Sequence, residues 1–318
     1  MITMSNISNL FAAKMGYTNL FEELSEKIPA SELNTLLLEL FRTRAKKVKP
    51  VELLRQFEKN RFASPSEVDT INFKELELRC LKLAKNKGFV PITLSPLAPF
   101  GTCSVVAFVD QNNIVTALRG TEVVSDATNV FALLMAKELK KTKDNEPLKY
   151  AATHRHVRSQ ALSNPAFTAH FGIFCLATGG LDTGSFSFEL DQLLDHVTIH
   201  FAVFSNEFDL SKEQLLLKIF LKQENEIFQQ KLKDRLKDMN DSMVIQIERQ
   251  VDPGDYYKVV QFKFFLVRNG QEINLSDGGF VDWTQKLIPN KKHRLIISGV
   301  GTELIHKMQN KQQKKSSS

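Results

Sequence analysis

Tyr150-Ala151-Ala152-Thr153-His154-Arg155-His156-Val157-Arg158-Ser159-Gln160 and its return Phe167-Thr168-Ala169-His170-Phe171-Gly172-Ile173-Phe174-Cys175-Leu176 are the stretches whose reading decides the fold. Tyr150–Val157 and Phe167–Leu176 read as strands, joined by a polar loop containing Pro165, so they predict an antiparallel pair. Alternation along the first places His154, His156 and Arg158 on one face and Arg155 with Val157 on the other.

Outward from this pair, Ser104–Val109 and Ile114–Leu118 flank Asp110-Gln111-Asn112-Asn113 and predict a hairpin. Thr128–Leu139 predicts a helix, and Phe188–Phe204 an amphipathic one carrying His196 and His200. Leu215–Met239 is Lys/Glu-rich and predicts a helical stretch broken near Asn225. Val244–Glu248, Tyr257–Arg268 and Leu295–Ser298 complete a sheet, and a last helix starts near Thr302. Upstream, Phe73–Lys87 has leucines at helical spacing, and Gly88 separates it from the strand-like Phe89-Val90-Pro91-Ile92-Thr93-Leu94. Residues 1–60 read as helical, with Ser31 capping a Leu36–Phe41 apolar run and Pro50 stopping it. Antiparallel hairpins mixed with covering helices mean α+β, a mixed and mainly antiparallel sheet flanked by helices. The expected divisions are an N-terminal helical segment at 1–66, a core at 67–308 and a disordered basic tail at 309–318.

Composition narrows the class. The 318 residues are 42% hydrophobic and 25% charged, which excludes a disordered polymer, a collagen-like chain and a disulfide scaffold. No apolar run approaches the ~20 residues of a membrane helix, and the first residues lack a secretory pattern. Cys80, Cys103 and Cys175 are odd in number and widely spaced, so reduced thiols in a cytoplasm are expected. The formal charge is +6, but Lys307, Lys311, Lys314 and Lys315 near the end carry most of it. The body is nearly neutral, so RNA contact is not demanded by charge.

Four constellations carry polar chemistry. Asp126 and Thr128 stand two apart where a strand end opens a helix, and a carboxylate beside a hydroxyl suits an ammonium group. On spacing alone the same pair reads more simply as a helix cap. Arg158, at a strand–loop junction, suits a phosphate or carboxylate, while His154-x-His156 alone is a weak metal pattern. Asp252-Pro253-Gly254-Asp255-Tyr256-Tyr257 is a turn delivering two tyrosines to a strand mouth, either as a ligand wall or as core. Asp277-Gly278-Gly279-Phe280-Val281-Asp282 and Ser298-Gly299-Val300-Gly301-Thr302-Glu303-Leu304 carry glycines that let a backbone approach a ligand. Gly299-x-Gly301 leads into a helix whose N-terminus suits an anion.

In this order, the segments over about residues 70–308 resemble the catalytic core of class II aminoacyl-tRNA synthetases, most closely the histidyl-tRNA synthetase branch. Residues 73–96 are similar to the family's first motif, which implies a homodimer. Val115–Thr128 is similar to its "LRPE-x-T" segment, so the resemblance assigns Asp126 and Thr128 to the substrate's amino group. His156–Gln160 resembles motif 2, which makes Arg158 the arginine that meets the α-phosphate of ATP. Gly254-Asp255-Tyr256-Tyr257 is similar to "GLDYY", residues 277–282 to "GGRYD", and 298–304 to motif 3.

The resemblance therefore implies Arg158 and Arg249 as catalytic, and Asp126, Thr128, Tyr256, Tyr257, Gly278 and Gly279 as substrate-binding. It also implies Arg158, Gly299 and Gly301 as ATP-binding, with Mg²⁺ and no protein metal site. The departures are that Leu304 and Ile305 follow Glu303 where motif 3 carries an arginine, that Phe280 replaces the arginine of "GGRYD", and that Arg249 stands farther from its tyrosines than the family's arginine does. The expected protein is a paralogue without an anticodon-binding domain. Two activities follow: an ATP-dependent ligase activating an amino acid for a non-standard acceptor, or an inactive regulatory paralogue that binds a small amino acid-like molecule and controls a partner protein.

Overall fold

The computed structural model describes residues 4–141, 146–160, 168–237, 243–250 and 256–316, with the backbone alone at 4–6 and 310–316. The loop around Pro165 and the Asp252–Asp255 part of the tyrosine turn lie outside these residues. Helices α1 (Met4–Lys14), α2 (Leu20–Glu22), α3 (Ala30–Ala45) and α4 (Pro50–Lys59) precede the long α5 (Thr70–Asn86). Then come β1 (Val90–Pro91), β2 (Leu97–Pro99), α6 (Thr102–Val106), β3 (Thr116–Ala117), β4 (Thr121–Val123) and α7 (Ala127–Leu139). The central hairpin is β5 (Leu148–Val157) and β6 (His170–Leu181), followed by α8 (Ser187–Ala202), β7 (Leu215–Leu221) and α9 (Glu226–Leu236). The chain closes with β8 (Val244–Arg249), β9 (Val260–Arg268), β10 (Gln271–Val281), α10 (Trp283–Leu287), β11 (His293–Val300) and α11 (Thr302–Ser316).

Eight strands form one sheet in the order β1-β5-β6-β11-β10-β9-β7-β8, antiparallel except at the pairs β1/β5 and β7/β8. Alternation along the strands supplies two cores. Phe174, Leu176, Ile296, Phe262 and Phe264 pack beneath α5, α8 and α9. Cys175, Ala177, Leu295, Ile297 and Val281 pack beneath α7 and α10. The α+β expectation and the covering helices hold.

Three local expectations do not. The hairpin at 104–118 is replaced by α6 and a 3₁₀ turn at Gln111–Asn113, leaving only the two-residue β3. The reason is remote. The buried Glu122 carboxylate accepts from Gly101 N (2.8 Å) and Cys103 N (2.9 Å), satisfying the orphan donors of a helix start. Leu215–Leu221 is a strand rather than helix, because it lies between β8 and β9 and is buried on both faces. A strand apolar at every position but Lys218 lacks the alternation that would mark it. Helix begins only after Asn225, whose side chain accepts from Phe228 N. Residues 277–281, whose glycines are expected to let a backbone approach a ligand, instead lie inside the long β10. The helix read from Thr302 is there, and its backbone runs to Ser316, into the stretch expected to be disordered.

Beneath α8, His196 and His200 form a buried polar relay. His196 meets Thr178 Oγ1 (3.0 Å) and Ser298 Oγ (2.8 Å); His200 meets Ser298 Oγ (2.9 Å) and Ser276 Oγ (3.0 Å). Burial disfavours the charged imidazole, lowering His200 from 6.5 to about 3. As pH falls below 6.5 the unfolded chain takes up a proton that the folded chain refuses until about 3, so stability declines across that window. Urea denaturation between pH 7.5 and 4 is expected to show this fall, with a slope of about 1.4 kcal/mol per pH unit for one such group. His200→Gln should lessen the slope by that one group's share, with the buried His156 and His196 continuing to contribute.

Candidate functional site

The site lies on the α7 face of the sheet, and strand register assembles it. Asp277 pairs with Gly299 and Gly299 with Cys175, so one cross-strand row sets these residues side by side on a single face. Gly299 presents no side chain there, which leaves a hollow between Ile173, Cys175 and Asp277. The cavity is about 370 Å³ and is lined by Asp126, Thr128, Arg158, Tyr256, Tyr257 and Asp277, together with Ser276, Ser298 and Gly299.

Two bonds hold the α7 end of this hollow. His156 is fully buried, and its Nε2 accepts from Ala127 N at 2.9 Å. Burial, set against the favourable charge of Asp126, holds His156 down to about 3, so the neutral acceptor form persists at neutral pH. Asp126 Oδ1 then accepts from Thr128 N (2.9 Å) and Thr128 Oγ1 (2.7 Å). The helix-cap reading is therefore correct, and it leaves chemistry to spare. Oδ2 stands 3.9 Å from Arg158 Nη2, beyond a hydrogen bond. Thr128 Oγ1 spends its proton on Asp126 and keeps lone pairs for a donor.

Arg158 donates from Nε to Ser125 O (3.2 Å) and lies over the Phe171 ring at 5.3 Å. Opposite, Tyr257 OH donates to Asp277 Oδ1, and Gln261 Nε2 donates to Oδ2 at 2.8 Å. Burial raises the Asp277 carboxyl, with the bonds from Tyr257 and Gln261 opposing the rise. Burial, reinforced by nearby carboxylates, likewise pushes both tyrosine hydroxyls up, so both act as neutral donors.

The remaining expected residues fall outside the lining. Gly278 faces the opposite core, where an added Cβ would stand 2.5 Å from Ser298 Cβ and 2.6 Å from the Phe262 ring. Gly279 is on the cavity face, but its bare Cα is covered by Tyr257, 2.7 Å from where a Cβ would sit. Both glycines serve packing between strands. Gly301 lies past the end of β11 and is not among the lining residues. Arg249 ends β8 at the far edge of the sheet, where it pairs with Glu224. Asp277 and the serines of β10 and β11 become visible as site residues only once the register is known.

The triphosphate of ATP would find little positive charge among the lining residues. Among the described lining residues Arg158 is the one cation, facing two carboxylates. At the start of α11, Arg155 and Lys307 are already paired with Glu303, at 2.8 and 2.7 Å. Burial opposes ionisation of Glu303, but bonds from Lys307, Ser66 and Gly172 hold it ionised, at about 2. A triphosphate needs several preorganised positive donors. Among the described residues no cluster of three His, Cys, Asp or Glu side chains could hold a metal ion by itself, although Mg²⁺ carried by a nucleotide needs only one or two carboxylates. In particular, His156 has its Nε2 committed to Ala127.

This fold defines a class. In a crystal structure of an ATP phosphoribosyltransferase regulatory subunit/histidyl-tRNA synthetase from Bacillus halodurans, the aligned fold has a TM-score of 0.61 at 15% identity, covering 77% of this chain and 81% of that one. Staphylococcus aureus histidyl-tRNA synthetase aligns with a TM-score of 0.56 at 13% identity, over 76% of this chain and 67% of that one. A putative threonyl-tRNA synthetase from Aeropyrum pernix aligns at 0.58 and 14%, over 74% and 58%. No protein-family model matches the sequence, and no curated protein does. The chain has the class II aminoacyl-tRNA synthetase-like fold.

Gly278→Ala is expected to destabilise the fold by about 1–3 kcal/mol through overpacking, whereas Arg249→Ala should leave stability within about 0.5 kcal/mol. Chemical denaturation of the two variants checks both.

Proposed function

We propose that this chain binds a small amino acid-like zwitterion and acts as a regulatory, non-adenylating relative of the class II synthetases. The observation that carries the reading is the meeting of Asp126, Thr128 and Arg158 on one cavity wall. An ammonium would donate to Asp126 Oδ2 and Thr128 Oγ1. The ligand's carboxylate would meet the Arg158 guanidinium. Within this fold such a wall is selective for zwitterions, because either charge alone would leave one partner uncompensated in a partly buried site.

The charge balance of the cavity favours binding without ATP-driven activation. The N-terminal helical segment supports a protein partner. No residue of α3 or α4 is buried, and Leu36, Leu40, Phe41, Leu53, Leu54 and Phe57 are each about half exposed. Apolar surface of this kind marks interaction sites. A homodimer through α5 and β1 accords with the resemblance. No helix among the described residues is long and apolar enough to cross a membrane.

Thermal unfolding with each of the twenty amino acids is expected to show a stabilising ligand. Asp126→Ala should weaken its binding by about 1.5–3 kcal/mol, roughly ten- to a hundredfold, by removing a charge-assisted bond. ATP–pyrophosphate exchange should stay at background with the same ligand. Exchange above background would establish the ligase instead.

A further inference from the structure

A second cavity of about 230 Å³ opens on the other side of the same wall. Asp126, Arg158 and Tyr256 line both spaces, so they form a partition rather than a floor. The annex has an apolar side, formed by Ala107, Val109 and Ile114, and a polar side bearing Ser125, Cys103 and Asn129.

Asn129 is 1% exposed, and its Nδ2 has no hydrogen-bond partner. Its orientation is set by its neighbours. Cys103 Sγ lies 2.8 Å from Ser125 Oγ and donates to Asn129 Oδ1 at 2.9 Å. Burial pushes the Cys103 thiol up to about 11, so it keeps its proton and remains the donor. With Oδ1 occupied, the amide N–H group is left to the annex. A buried donor without an acceptor is costly, and native structures keep few of them.

From this geometry we infer that the annex is a subsite for an uncharged hydrogen-bond acceptor carried by the ligand, a carboxamide side chain of the glutamine type. The inference rests on the zwitterion reading above. With the ligand's head group at the partition, its methylenes would run along Val109 and Ile114, and its carbonyl oxygen would accept from Asn129 Nδ2. A carboxylate in the same place would be desolvated beside Asp126, with Arg158 shared between them. An aliphatic chain would leave the amide unsatisfied, the condition under which polar pockets discriminate most sharply.

The test is calorimetric titration of the full chain with L-glutamine, L-glutamate, L-norleucine and glycine. Wild type is expected to bind glutamine at least tenfold more tightly than norleucine or glutamate. Asn129→Asp keeps the bond from Cys103 and suits a helix N-terminus, yet replaces the free donor with an acceptor. It should cost glutamine at least tenfold and leave glycine within threefold. Val109→Phe, at a half-buried position, fills the annex without touching Asp126 and should have the same pattern. Equal affinities for glutamine and norleucine, a preference for glutamate, or equal losses for glutamine and glycine in both variants would each overturn the subsite while leaving the zwitterion site standing. No binding of any of the four, nor of any other amino acid, overturns both.

Discussion

The capped start of α7 is the constraint on which the site depends. A neutral His156 from β5 accepts from Ala127 N, and Asp126 accepts from Thr128 N and Oγ1. Together these fix the helix terminus against the sheet. Asp126 thereby acquires a fixed position with one oxygen committed to the backbone and one facing the cavity. Had His156 been exposed, its ordinary titration would loosen this junction near neutral pH. Burial removes that sensitivity, so the cap on α7 stays intact near neutral pH.

The rest of the hollow is made by subtraction. At Gly299 the sheet gives up a side chain, while Gly278 and Gly279 let β9, β10 and Tyr257 close around it. The row Cys175–Gly299–Asp277 then runs from an apolar wall to a hydrogen-bonded carboxyl in the space of three strands. Behind it, Ser276 and Ser298 belong both to the cavity lining and to the histidine relay beneath α8. The floor of the site is thus tied to the opposite core, which makes it stiff. Stiffness lowers the ordering cost of binding a small ligand.

How far the sequence disclosed this arrangement depended on whether a feature was local. The β5/β6 pair, α7 and α8 were legible because their patterns are self-contained, and Asp126, Thr128 and Arg158 were legible because each sits at an element boundary. Glu122 capping α6 across nineteen and twenty-one residues was not, so β-branched Val105 and Val106 suggested a strand that does not form. Leu215–Leu221 hid its period by being buried on both faces. The glycines of β10 read as ligand-facing because sequence does not say which side of a sheet a residue takes; register assigns Gly278 to the core and Asp277 to the cavity. Arg249 matched a motif by order along the chain, yet its strand lies at the sheet edge.

The most direct measurement of the central claim is a methyl NMR titration. Ile173 and Ile297 line the cavity, whereas Ile219 and Ile296 lie in the core beneath α8. With isoleucine methyls labelled, a saturating amino acid is expected to move Ile173 and Ile297 together while Ile219 and Ile296 stay in place. If no amino acid moves that pair, or if the only shifts arise from isoleucines of the N-terminal helices, the hollow beside Asp126 is not a zwitterion site.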